Sequence, residues 1–224
     1  MRALIALFAT SLAVGFSGAL MPGPLVTADI AGAARDGFWV GPALSLGHAI
    51  AEAAVIIGLS VGLCRLLKNR WVSGAIGVVG GLFLLWMGWD IAAGAWTGAV
   101  SLELAAAGGT GQPTWAPVLT GIAVSVTNPY WVMWWATVGA SYVMLGLRQG
   151  TAGLASVYFG HILSDVIWLI LIAFVVSTGR GLMTDSIYRG ILLVCGLFLV
   201  VLSLYFLRSG ARFLRGPADP TAAA

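Results

Sequence analysis

The feature that most constrains this chain is the spacing of its charges. Six stretches of about 20 residues or more, nearly free of Asp, Glu, Lys and Arg, are separated by short gaps that hold most of the charge. The first is the plainest: no residue from Ala3 to Ala28 is charged. That run exceeds the apolar segment of a secretory leader, roughly 7–15 residues, and reads as a first membrane span. The spans cover 3–34, interrupted at Pro22-Gly23-Pro24, then 39–64, 71–95, 116–147, 150–179 and 187–207. Only 8% of the residues are charged and 60% are hydrophobic, whereas a soluble domain is about 25% charged. In water such a surface would associate through its apolar patches. The expected fold class is an all-α membrane protein with about six transmembrane helices, seated in the cell inner (plasma) membrane.

Six crossings place both termini on one side. That side carries Arg2, Arg65, Lys68, Arg70, Arg148, Arg208, Arg212 and Arg215, eight of the 11 basic residues; Arg35, Arg180 and Arg189 fall opposite. The positive-inside bias puts both termini in the cytoplasm. It also accounts for the net charge of +3 without a basic stripe of the kind that binds nucleic acid.

The sequence repeats itself. Gly47-His48-Ala49-Ile50-Ala51-Glu52 resembles Gly160-His161-Ile162-Leu163-Ser164-Asp165, at a constant offset of 161 − 48 = 113, and Gly81-Leu82-Phe83-Leu84 returns as Gly196-Leu197-Phe198-Leu199 at 196 − 81 = 115. The organisation expected is a first three-helix repeat at 1–95, a central loop at 96–115, a second three-helix repeat at 116–210 and a disordered C-terminal tail at 211–224. An odd number of helices per half inverts the second half in the membrane. Inverted repeats are a recurrent plan of secondary transporters, with the cargo site near the midplane.

Two acids fall in mid-span. Glu52 lies 13 residues after Trp39, and Asp165 lies 17 after Arg148. An acid at that depth costs on the order of 2.5–3.5 kcal/mol, so such residues face a cavity or one another. His48 and His161 each precede their acid by four residues, on the same helix face. One reading is a central site of two carboxylates and two imidazoles that holds a cargo ammonium and relays protons. The other is a pair of local hydrogen bonds pinning one helix to another.

Pro22-Gly23-Pro24 and Asn128-Pro129 interrupt two spans, because proline removes a donor and clashes with the preceding turn. Broken backbone at membrane depth is tolerated where it is buried or lines a wet cavity. Freed N–H groups there suit a cargo carboxylate, with Asn128 as a further polar contact; the alternative is a kink that serves packing. Tyr130-Trp131-Val132-Met133-Trp134-Trp135 reads as an interfacial aromatic belt or as a pocket wall. Asp29 and Asp90 read as acids near span ends that snorkel or cap. Glycines such as Gly58, Gly62, Gly77 and Gly81 read as close-packing positions. Cys64 and Cys195 fit structural thiols, with no CxxC. There is no P-loop, GxSxG or HExxH, so no ATP-driven motor or familiar hydrolase is expected.

Pro22-Gly23-Pro24, the glycines Gly37, Gly41 and Gly47, and Asn128-Pro129 resemble the signatures of the LysE/RhtB-type amino-acid exporter family, over essentially the whole chain. The resemblance is to a divergent branch: Leu25 stands where the family often has Asn, and the central loop lacks the usual basic residues. It implies export of amino acids or similar metabolites driven by the proton-motive force. Pro22, Gly23, Pro24, Asn128 and Pro129 would line the translocation site.

The function expected is a secondary exporter of small metabolites by proton antiport. Glu52, Asp165, His48 and His161 would serve binding or coupling. The alternative is a divalent metal-ion transporter on the same fold, since two His and two carboxylates form a nitrogen/oxygen donor set. No enzyme activity, cofactor or resident metal is expected. The partners are a small-molecule substrate, protons and the lipid bilayer, with a homodimer left open.

Overall fold

The computed structural model describes residues 1–62, 69–102, 115–179 and 181–215. The helices are α1 (Arg2–Ala19), α2 (Pro24–Asp36), α3 (Val40–Ser60), α4 (Arg70–Thr97), α5 (Ala116–Thr127), α6 (Pro129–Trp134), a π-helical turn (Trp135–Gly139), α7 (Ala140–Leu147), α8 (Gly150–Gly179) and α9 (Asp185–Arg215). There is no strand among the described residues. Helices α1, α3, α4, α8 and α9 are each long and apolar enough to cross a membrane. The sixth apolar segment, 116–147, is divided among α5, α6, the π turn and α7. Many large apolar side chains face outward, including Trp86, Trp96, Phe174, Leu197 and Val201, the surface a bilayer covers and water does not.

Prolines set both breaks. Pro24 opens α2 and Pro129 opens α6, each at the first helical position, where the missing N–H is no loss. Asn128 Oδ1 caps α6 by accepting the Tyr130 N–H at 3.0 Å. After α2 the chain turns at Gly37, φ +88°, a conformation that favours glycine.

The packing is reciprocal. Helix α1 lies on α8, α5 lies on α3, α3 meets α8, and α4 runs along α9. The α4–α9 pair is close because glycines face backbone: a Cβ on Gly88 would sit 2.8 Å from the Gly196 carbonyl, and one on Gly210 would sit 2.7 Å from the Val78 nitrogen. One core cluster joins the ends of α2, α4, α8 and α9 through Ile30, Ala33, Ala95, Val176, Tyr188 and Leu192. At the opposite end Ile56, Leu59, Trp135 and Val143 pack α3 on α7 and the π turn without α4 or α9.

Two expected boundaries move. Helix α4 continues to Thr97, inside the loop expected at 96–115, and Gly98 at φ +80° ends it. Arg189 then donates to the Ala95 and Trp96 carbonyls, both at 2.7 Å, closing that helix end. Helix α9 continues to Arg215, so 211–215 of the expected tail are helical. Arg212 and Arg215 lie in its last turn, where cations offset the helix dipole. Cys64, Arg65, Lys68, Glu103, Pro113, Arg180 and the tail from Gly216 lie outside the described residues.

Candidate functional site

Glu52 stands 12 residues into α3, and Asp165 stands 15 residues into the 30-residue α8. Both histidines precede their acids by one helical turn, so crossing α3 over α8 brings all four side chains together. They meet at one oxygen. Glu52 Oε1 lies 3.2 Å from His48 Nε2 and 3.1 Å from His161 Nε2. The indole N–H groups of Trp131 and Trp135 approach the same atom at 3.4 and 3.3 Å. Asp165 sits one step further out, 3.9 Å from His48 Nε2 and 3.7 Å from His161 Nε2. Glu52 is completely buried and Asp165 7% exposed. The link between α3 and α8 is therefore crossed: each imidazole faces its own helix's acid and the other's.

The two imidazoles differ at their second nitrogen. His48 Nδ1 is 2.6 Å from Ser125 Oγ of α5. His161 Nδ1 has no hydrogen-bond partner; there Gly15 of α1 leaves room, since a Cβ on it would approach that nitrogen to 2.8 Å. Trp134 stacks on His161 with ring centroids 4.5 Å apart, and Trp135 meets it edge-on at 5.1 Å. Glu52 Oε2, Asp165 Oδ2 and Trp168 Nε1 are also buried without a hydrogen bond. Such a set of polar atoms is costly unless something polar is to be received.

A cavity of ≈ 70 Å³ runs from this cluster to both helix breaks, enough for a few waters. Gly23 and Asn128 line it, as do Leu25 and Val26 in the first turn of α2, where helical N–H groups lack intrahelical partners. The breaks face each other: a Cβ on Gly23 would lie 3.9 Å from Asn128 Nδ2. Pro22, Pro24 and Pro129 are not part of the cavity wall; Pro24 and Pro129 are fully buried at helix starts. Thus the structure brings Glu52, Asp165, His48, His161, Asn128 and Gly23 to one chamber, while the prolines shape its ends.

Ser125 and the tryptophans are what the sequence reading missed or left open. Trp131, Trp134 and Trp135 form a pocket wall on the acids and imidazoles, not a belt. The aromatic run directly after a break was the available signal. Asp29 differs from its expected role at a span end: it is 0% exposed, with neither oxygen partnered, because the break lets α2 tuck between α3 and α8. Asp90 is exposed on α4. Cys195 is buried in the cluster around Ile30, Ala95 and Tyr188.

Helices long enough to cross a bilayer, two proline-broken segments and a buried ionisable chamber define an all-helical, multi-pass membrane protein. Residues 16–210 match the family model described as LysE type translocator. The chain is 23% identical to the "Putative amino acid efflux protein YcgF" of Bacillus subtilis (strain 168), over 94% of this chain and 99% of that protein. It is 28% identical to the "Chemotactic transduction protein ChpE" of Pseudomonas aeruginosa PAO1, over 92% of this chain and 99% of that protein. No solved structure gives a significant match. The chain belongs to the LysE type translocator family. It is a membrane transporter of small molecules, not an enzyme.

Proposed function

We propose that this transporter exports amino acids or related small zwitterionic metabolites across the plasma membrane in exchange for protons. The observation that carries the reading is the meeting of Glu52, Asp165, His48 and His161 in a buried cavity that reaches both helix breaks. A zwitterion needs a negative locus for its ammonium and donors for its carboxylate. Glu52 and Asp165 supply the first. The first-turn N–H groups of α2, with Asn128 Nδ2, supply the second. Two carboxylates and two imidazoles hold a variable number of protons, so loading a proton and loading an ammonium compete for the same acceptors. The described efflux role of the Bacillus relative supports this cargo class.

The reciprocal packing supports two inverted halves: α1 on α8 answers α5 on α3, and α4–α9 and α3–α8 pair like with like. Rocking one half against the other would open the chamber to alternate sides. The charge bias supports cytoplasmic termini. The decisive experiment is proton-driven efflux of labelled amino acids from vesicles carrying Glu52→Gln or Asp165→Asn. Each variant is expected to lose at least about tenfold in rate, about 1.4 kcal/mol. Normal efflux by both, at normal expression, removes the assignment.

A second reading has its own observation. Ligand atoms of His48, Glu52 and Asp165 lie within 4.8 Å of one another, a donor set suited to a divalent transition metal as cargo. Thermal stabilisation of the purified protein by such ions, and not by amino acids, would favour it.

A further inference from the structure

The α4–α9 pair is held to the rest of the molecule at one end by the cluster around Ile30, Ala95 and Tyr188, and further along by α6, where Tyr130 and Met133 pack on Leu84, Leu199 and Phe206. Beyond that contact, towards Arg70 and Arg212, a cleft of ≈ 850 Å³ opens beside α6 and the π turn, within the roughly 300–1,000 Å³ of ligand pockets. The cleft opens sideways: Tyr205 on its wall is 64% exposed, and Thr137 opposite is exposed. Because α9 is long and apolar enough to cross a membrane, a bilayer would cover that opening.

Its interior is largely apolar and aromatic, with Phe206 and Phe213 from α9 and Trp134 from α6, and among the described residues its charged wall residues are Arg70 and Arg212. These lie at the first residue of α4 and in the last turn of α9, at the membrane edge. Arg208, Arg212 and Arg215 follow at spacings of four and three, on one helix face. Segments 69–89 and 186–215 contain no Asp or Glu. Among the described residues neither Arg70 nor Arg212 is in an ion pair; Arg70 lies over the Trp71 ring at 4.9 Å.

We propose that this cleft binds one anionic phospholipid, with its phosphate on Arg70 and Arg212 and an acyl chain along the aromatic wall. Guanidinium groups pair strongly with phosphate. Basic pockets between membrane helices on the charge-rich side suit anionic head groups. The hydroxyls of Ser73, Tyr130, Thr137, Tyr205 and Ser209 also reach the wall, but no carboxylate does among the described residues, so the cleft offers an ammonium no counter-charge and an anion two guanidiniums. The site is separate from the cargo chamber, yet Tyr130 and Trp134 border both.

The test uses the full chain purified in neutral detergent, with phosphatidylglycerol or phosphatidylcholine of matched chains added. Phosphatidylglycerol is expected to raise Tm and survive as a one-to-one adduct in native mass spectrometry, with a preference of roughly tenfold or more over phosphatidylcholine. The double variant Arg70→Gln/Arg212→Gln, altered only at exposed positions, is expected to lose that preference while keeping its circular dichroism. Equal effects of the two lipids, or an undiminished preference in the variant, overturns the proposal. Thr137→Cys, in a Cys64→Ser/Cys195→Ser background in phosphatidylglycerol vesicles, is expected to resist a charged membrane-impermeant thiol reagent. Fast labelling there would mark an aqueous entrance and also overturn it.

Discussion

At the residue scale the chamber is governed by protons on a few nitrogens and oxygens. Ser125 Oγ lies 2.6 Å from the Gly121 carbonyl and 2.6 Å from His48 Nδ1. It has one proton to give: donated to His48 Nδ1 it leaves the Nε2–H to donate to Glu52, and donated to the Gly121 carbonyl it makes Ser125 accept from Nδ1–H, so that neutral His48 has no Nε2 proton for Glu52. Ser125→Ala removes the partner and leaves a buried ring nitrogen unsatisfied. The expected loss is about 1–3 kcal/mol of stability, read from thermal melts in detergent, together with slower efflux. Ser203→Ala is the control, because that hydroxyl bonds only the Val200 carbonyl of its own helix; its melt should move less. The four ionisable residues were legible in the sequence because a carboxylate in mid-span must have a reason to be there. Ser125 was not, since a serine in an apolar helix more often bonds its own backbone. Asp29 was misplaced because the first span, although interrupted at Pro22-Gly23-Pro24, was counted to residue 34 as a single crossing, so a residue past the break fell near its end.

Element geometry rests on where backbones touch. Gly47 lies against Val118 and Ile122 of α5, and a Cβ there would run into the Val118 carbonyl. Gly47→Val must push α5 away from α3, and the His48–Ser125 contact with it. The expected cost is at least about 1–3 kcal/mol, as for other overpacked cores. Gly190→Ala makes the contrast: it is also helical but meets nothing within 4 Å, so folded yield should be unchanged or higher. The breaks were readable because proline announces itself. The π turn at Trp135–Gly139 was not, because Trp-Ala-Thr-Val-Gly contains no residue that forbids an ordinary helix. That turn follows α6, whose Trp131 indole reaches Glu52, and its own Trp135 reaches the same oxygen. Tertiary contact, not local preference, decides such a turn.

For the whole molecule, charge and length dictate the layout. The apolar stretches and their basic gaps fixed the number of crossings closely, because lipid permits few alternatives. A C-terminal green fluorescent protein fusion is expected to fluoresce, and a C-terminal alkaline phosphatase fusion to stay inactive. The reverse pattern would place Arg208, Arg212 and Arg215 outside and undo the proposed orientation. The ionisable chamber belongs to α3 and α8, while the glycine-faced α4–α9 pair adds to it only the apolar Leu202. On the proposed function, recognition and leverage would then be written on separate stretches of polypeptide. Substitutions on the greasy flank of the α4–α9 pair would retune how fast such a carrier turns over and leave untouched the letters that decide what it carries.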